Sequence, residues 1–140
     1  MEPRVSVLTL GVHDLQRAIR FYRDGLGWPM TGDGDGVAFF QLGGLVLSLY
    51  PYESLAEDAC LPATGSGFGG IALAQCVRSK AEADEVLAAA ERAGGTLLKP
   101  AQDVFWGGYS GYFQDTEGYA WEVAWNPGWE LTPDGAVKLS

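Results

Sequence analysis

The chain has 140 residues, 47% of them hydrophobic and 19% charged, and a net charge of −9. This length suits one domain with its own core, and the composition excludes a disordered chain. The acidic balance disfavours nucleic acid and anionic membrane, which are bound through clustered Lys and Arg. No apolar run is long enough to span a bilayer. The opening "MEPRVSVLTLG" lacks the basic region and apolar block of a signal peptide, so a cytoplasmic protein is expected. There Cys60 and Cys76, which lack metal-ligand spacing, are expected to be reduced thiols.

The segment "RVSVLTLGV" (4–12) alternates and is β-rich, which predicts a strand. Asp14 is a good N-cap. Leu15, Ala18, Ile19 and Tyr22 then fall on one helical face, and Gly25 and Gly27 stop the helix. "TGDGDG" (31–36) is a turn cluster, too short for a calcium loop and without the Lys and following helix of a phosphate loop. "VAFFQL" (37–42) and "LVLSLYP" (45–51) read as a hairpin joined at Gly43-Gly44, with room for a short strand near 28–31. Residues 52–67 read as loop. The order then restarts. "FGGIALAQCV" (68–77) is a strand, and 79–95 is a helix with a Ser79/Glu82 capping box and a buried stripe of Ala83, Val86, Leu87 and Ala90. Strands follow at 96–101, 109–115 and 119–125. A closing hairpin is expected over 129–139, around Pro133-Asp134-Gly135.

This is an internal repeat with a period near half the chain. "FQLGGLVLSLYP" aligns with "FQDTEGYAWEVAW", Gly44 on Gly118, which puts Ser48 where Glu122 stands. The expected architecture is α+β, one domain of two βαβββ modules (4–51 and 68–126) with a C-terminal hairpin and tail (127–140). Paired curved mixed sheets would enclose a cleft. Alternation on the strands sorts the faces. Tyr119, Trp121, Val123 and Trp125 share one face, Ala120, Glu122 and Ala124 the other. Leu45, Leu47 and Leu49 face a helix, Val46, Ser48 and Tyr50 the cleft. Leu8, Leu10, Val12, Ile71 and Leu73 pack, leaving Val7, Thr9, Gly11, Gly70 and Ala72. The inferred cleft is apolar and small-residue, with one carboxylate, as small-molecule pockets tend to be lined.

The paired modules, the stretch "LTLGVHDLQRAIRFYRDGLGW" and the ending "FQDTEGYAWEVAW" resemble the vicinal oxygen chelate superfamily. That group includes glyoxalase I, extradiol dioxygenases, fosfomycin-modifying proteins and bleomycin-resistance proteins. The most specific part is the D-x-x-G-x-x-x-E spacing of Asp115, Gly118 and Glu122. The resemblance implies the fold and, in metal-dependent members, one ligand on each of four inner strands. Carried over singly, those positions fall on Val7, Ser48, Gly70 and Glu122. One true ligand type of four is kept, so no metal and no other cofactor is expected. The resemblance also implies a homodimer.

Glu122 is the leading candidate, as acid or base or as the holder of a cationic group. A former ligand position satisfied by neighbouring hydroxyls is the other reading. "VFWGGYSGYF" (104–113) offers Trp106 and Tyr109 as aromatic walls, and Tyr50 and Tyr52 could face them. His13 is expected to be an exposed loop residue, and Cys60 and Cys76 incidental. The expected ligand site is thus Val7, Thr9, Ser48, Tyr50, Gly70, Trp106, Tyr109 and Glu122. Three functions stay open: metal-independent binding of an aromatic or cationic molecule, a glyoxalase- or dioxygenase-type enzyme, and a non-catalytic dimeric interaction domain.

Overall fold

The computed structural model describes residues 1–25, 27–65, 67–114 and 118–139. Asp115 of the D-x-x-G-x-x-x-E spacing lies outside them. Strand β1 spans Val7–Val12. Helix α1, Leu15–Ile19, is capped by Asp14, whose carboxylate accepts from the Arg17 N–H at 2.9 Å, and it widens into a π-helical turn over Arg20–Gly25. Strands β2 (Met30–Thr31), β3 (Ala38–Leu42) and β4 (Leu45–Pro51) complete the first half. Helix α2, Tyr52–Asp58, leads out of β4. The second half runs β5 (Ile71–Cys76), α3 (Lys80–Arg92), β6 (Thr96–Asp103), β7 (Tyr109–Gln114) and β8 (Ala120–Trp125). A two-stranded hairpin, β9 (Glu130–Leu131) with β10 (Val137–Lys138), follows. None of the described helices is long and apolar enough to cross a membrane.

The eight longer-range strands form one curved mixed sheet in the order β2-β3-β4-β1-β5-β8-β7-β6. Its two halves repeat the same order outward from the centre. There β1 and β5 lie antiparallel, Val7 opposite Ala74, and each takes a parallel partner on its outer side, β4 and β8. Helices α1 and α3 pack on the convex face. Under α1, Ile19 joins Phe40, Leu47 and Leu49, with Leu8, Leu10 and Val12 alongside. Under α3, Ala83, Val86 and Leu87 meet Phe113 and Val123.

Three expectations need correction. Residues 52–67 are not all loop, because α2 occupies 52–58. Its only breaker, Pro51, stands at the N-cap, where a missing N–H costs nothing. Ile71 was expected to pack but is 50% exposed, and Tyr119 is 64% exposed. Ile71 opens β5, and Tyr119 lies just before β8.

The concave face is filled at each end by a segment outside the repeat. At one end α2 and the chain after it lay Leu55, Ala56, Ala59 and Phe68 against Ala72, Tyr112 and Ala120. At the other, the C-terminal hairpin lays Val137, with Trp129, Leu131 and Leu139, against Val7, Val46, Ala74 and Cys76. That hairpin is pinned across the sheet by Gln41, whose Nε2 donates to the Val137 carbonyl at 3.2 Å and whose Oε1 accepts from the Leu139 N–H at 3.1 Å.

Candidate functional site

Between the two covering segments a cavity of about 250 Å³ remains. Strand register builds its floor. One cross-strand row runs Val46, Val7, Ala74, Glu122, Tyr112, Lys99, and the next runs Phe39, Ser48, Thr9, Ala72. Of the expected site residues, Val7, Thr9, Ser48, Tyr50, Trp106 and Glu122 line the cavity. Gly70 and Tyr109 do not. Gly70 holds φ +85° beside Tyr52, whose ring stands 2.9 Å from where a Cβ would be. Tyr109 shares the helix side of β7 with Gly111 and Phe113, and its hydroxyl donates to Asp84 of α3 at 3.0 Å. The cavity-facing tyrosine of β7 is Tyr112, three residues further on and on the other face. His13 is exposed and stacks on Tyr52 with ring centroids 4.6 Å apart. Tyr52 itself donates to the Phe68 carbonyl at 2.8 Å, which ties it to the wall of α2 rather than to the cavity. Cys60 is exposed. Cys76 lines the cavity, and burial, helped by the Glu122 charge, pushes its thiol up to about 12, which leaves it unreactive at neutral pH.

Two polar residues that the sequence reading passed over stand beside Glu122. Asp58, at the end of α2, accepts from the Tyr112 hydroxyl at 2.9 Å and from Lys99 Nζ. Lys99 also sits 5.1 Å above the Tyr112 ring. Tyr112 stands directly opposite Glu122 in the β7–β8 ladder. Residues Phe39, Asn126 and Trp129 complete the walls. Asp58 was hidden because "YESLAEDA" was read as loop, and Trp129 because it follows the repeat.

Burial raises the Glu122 carboxyl to about 7, and the Asp58 charge pushes the same way. Ser110, Lys99 and Tyr112 pull it back. Ser110 Oγ is buried and makes no hydrogen bond by distance and angle, so its effect on Glu122 is one of proximity. Tyr50 is raised by burial, then by Asp58 and Glu122. The expected consequence of Lys99→Met is a further rise of the Glu122 carboxyl, because Asp58 is left without its counter-charge. Carboxylate NMR across a pH series reads it, and a downward move would refute this account.

The donor set does not fit a metal centre of the four-strand kind. Val7 offers no donor, Ser48 a neutral hydroxyl and Glu122 a carboxylate. On β5 the position between Val7 and Glu122 is Ala74, while Gly70 lies outside the cavity. The second carboxylate, Asp58, is already held by Lys99 and Tyr112. Among the described residues no three His, Cys, Asp or Glu side chains cluster as ligands, whereas a catalytic site takes about three.

A family model described as the Glyoxalase/Bleomycin resistance protein/Dioxygenase superfamily matches residues 4–123. Among solved structures, a glyoxalase-related enzyme from Fulvimarina pelagi is similar, with 37% identity over 99% of both chains and a TM-score of 0.52. A superfamily member from Vibrio splendidus 12B01 shares the fold at 17% identity, over 88% of this chain and 98% of that one, with a TM-score of 0.55. So does the Mn(II)-bound glyoxalase from Novosphingobium aromaticivorans, at 20% identity over 98% of this chain and 41% of that one, with a TM-score of 0.54. A comparison with curated proteins gives no match. Family model and fold agree, and the chain belongs to the glyoxalase/bleomycin resistance protein/dioxygenase superfamily.

Proposed function

We propose that the protein binds a small organic molecule in this cavity without a metal ion. The walls take an aromatic body, and Glu122 takes a hydrogen-bond donor or a cation. The observation that carries the reading is the lining: apolar and aromatic side chains surround Glu122, with Tyr112 and Asp58, joined by a hydrogen bond, beside it. Small-molecule pockets are built this way, usually with volumes of roughly 300–1,000 Å³, so this one suits a small ligand. Trp106 and Trp129 in the wall supply the signal. Titration with benzylamine, benzamidine and benzyl alcohol should give saturable quenching of tryptophan fluorescence. Glu122→Gln should weaken the two cationic probes about tenfold, the loss of one charge-assisted contact, and the alcohol little. If none of the three saturates, the proposal falls.

A second reading has one specific observation behind it, the Glu122 carboxyl near 7. A base poised there can take a proton from carbon next to a carbonyl at neutral pH. The 37% identical relative is called a glyoxalase-related enzyme, which favours catalysis of some kind. Acetophenone in deuterated water is the simple probe. Methyl deuteration catalysed by the wild-type protein and absent in Glu122→Gln supports this reading, and equal rates in both refute it.

A further inference from the structure

We propose that Trp129, carried in by the C-terminal hairpin, is the end wall that limits the ligand to a single ring. The inference rests on the binding reading above and names the class of ligand that reading leaves open. Along the strand direction the cavity is closed twice. The α2 end carries Leu55 and Asp58, and the opposite end carries Trp129 and Asn126. The α2 end is fixed by the Asp58 contacts to Lys99 and Tyr112 and by a fully buried core around Leu55 and Ala56. It cannot retreat without breaking them. The Trp129 end is held by edge-to-face packing on Phe39, ring centroids 5.0 Å apart at 85°, and by the Gln41 clamp on the hairpin.

The distance between these ends is therefore a property of the chain's own tail and not of the repeated modules. A cavity of roughly 150 Å³ holds a benzene ring. The 250 Å³ here takes one ring with a short polar arm reaching Glu122. A fused or linked second ring that extends along the strand direction meets the indole. Removing that bicyclic side chain frees at least the room of one six-membered ring, while Glu122 and the α2 end stay in place.

Two probes separate this inference from the reading it rests on. Benzylamine is the single-ring probe, followed by calorimetry. N-phenyl-1-naphthylamine is the large one, followed by its own fluorescence. The wild-type protein should bind benzylamine and give no saturable signal with the naphthylamine. Trp129→Ala should bind the naphthylamine at least tenfold more tightly than the wild type, while benzylamine, which loses one wall, binds more weakly. Trp129→Leu, which keeps an apolar side chain on Phe39, should gain less. It also decides the matter if the alanine variant fails to fold by circular dichroism. The inference is overturned if the wild type takes the naphthylamine as well as the variants do, or if no folded variant gains it while benzylamine binds the wild type. If benzylamine binds neither wild type nor variants, the binding reading fails and this inference goes with it.

Discussion

Glu122→Gln should flatten the pH dependence of folding stability, gaining roughly 2–3 kcal/mol on the wild-type protein between about pH 5 and pH 8. In the native state the carboxyl keeps its proton up to about 7, while the unfolded chain releases it in the ordinary carboxylate range. Over that interval the unfolded state binds fewer protons than the native one, so wild-type stability falls as pH rises and levels off above about 7. The glutamine has no proton to lose and skips the decline. Other shifted groups act outside the window. Glu2, Asp24 and Asp134 are lowered by arginine or hydroxyl partners, so their contribution is present across it and is lost only in acid. Tyr50, Tyr112, Tyr109 and Cys76 are raised from already alkaline values and matter only in base. Urea unfolding of both proteins at the two pH values measures the effect. Parallel pH curves would mean that the burial of Glu122 is relieved in solution and that the site is not poised near neutrality.

The same residue shows how far the sequence could be read. The repeat and the alternation rule placed Glu122, Ser48, Val7 and Thr9 on one face, and the cross-strand register puts them there. Alternation is a local rule with a period of two, so it survives without knowledge of partners. It fails where a strand is irregular or where its start is misjudged. Tyr109 and Tyr112 are three apart on one strand and so face opposite ways, and nothing local says which faces in. Gly70 was carried over from a family pattern, yet the strand begins only at Ile71, so its position lies past the floor. The larger omission is of another kind. The walls at both ends, α2 and the C-terminal hairpin, are not part of the repeat, and a repeat-based reading sees a groove where the folded chain has a cavity. Asp58 and Trp129 belong to those walls, and long-range packing alone brings them to Glu122.

This division has a functional consequence. The repeated modules supply a floor whose polar content is small. The unrepeated segments supply the second carboxylate, the aromatic end and the closure. The polar and aromatic character of this cavity thus comes more from these segments than from the shared fold. Here they set the charge near Glu122 through Asp58 and the length of the cavity through Trp129.

The Asp58 side depends in turn on a fault in the regular sheet, and Gly111→Ala should expose that dependence at a cost of about 3 kcal/mol, the upper range for overpacking. Strand β6 pairs with β7 through two register shifts, one between Leu97 and Lys99 and one between Lys99 and Gln102. With a regular ladder Lys99 would stand opposite Gly111 and point toward α3. The first shift puts it opposite Tyr112, on the cavity face, where its ammonium reaches Asp58. A bulge re-aims a side chain in just this sense, and Pro100, which falls in the second shift, is tolerated because β6 is an edge strand. The second shift crowds the chain above Gly111. A Cβ there would lie 2.7 Å from Lys99 O, Ala101 N and Leu87 Cδ1. Leu87 could move, but the two backbone atoms can move only if the bulge does. Relieving the clash therefore shifts Lys99 away from Asp58, and the loss should register twice. Denaturant unfolding should show the lower stability, and the Glu122 carboxyl should rise as it does in Lys99→Met. A Gly111→Ala protein that loses stability but keeps Glu122 where it is would mean that the bulge serves packing against α3 alone, and that Lys99 finds Asp58 without it.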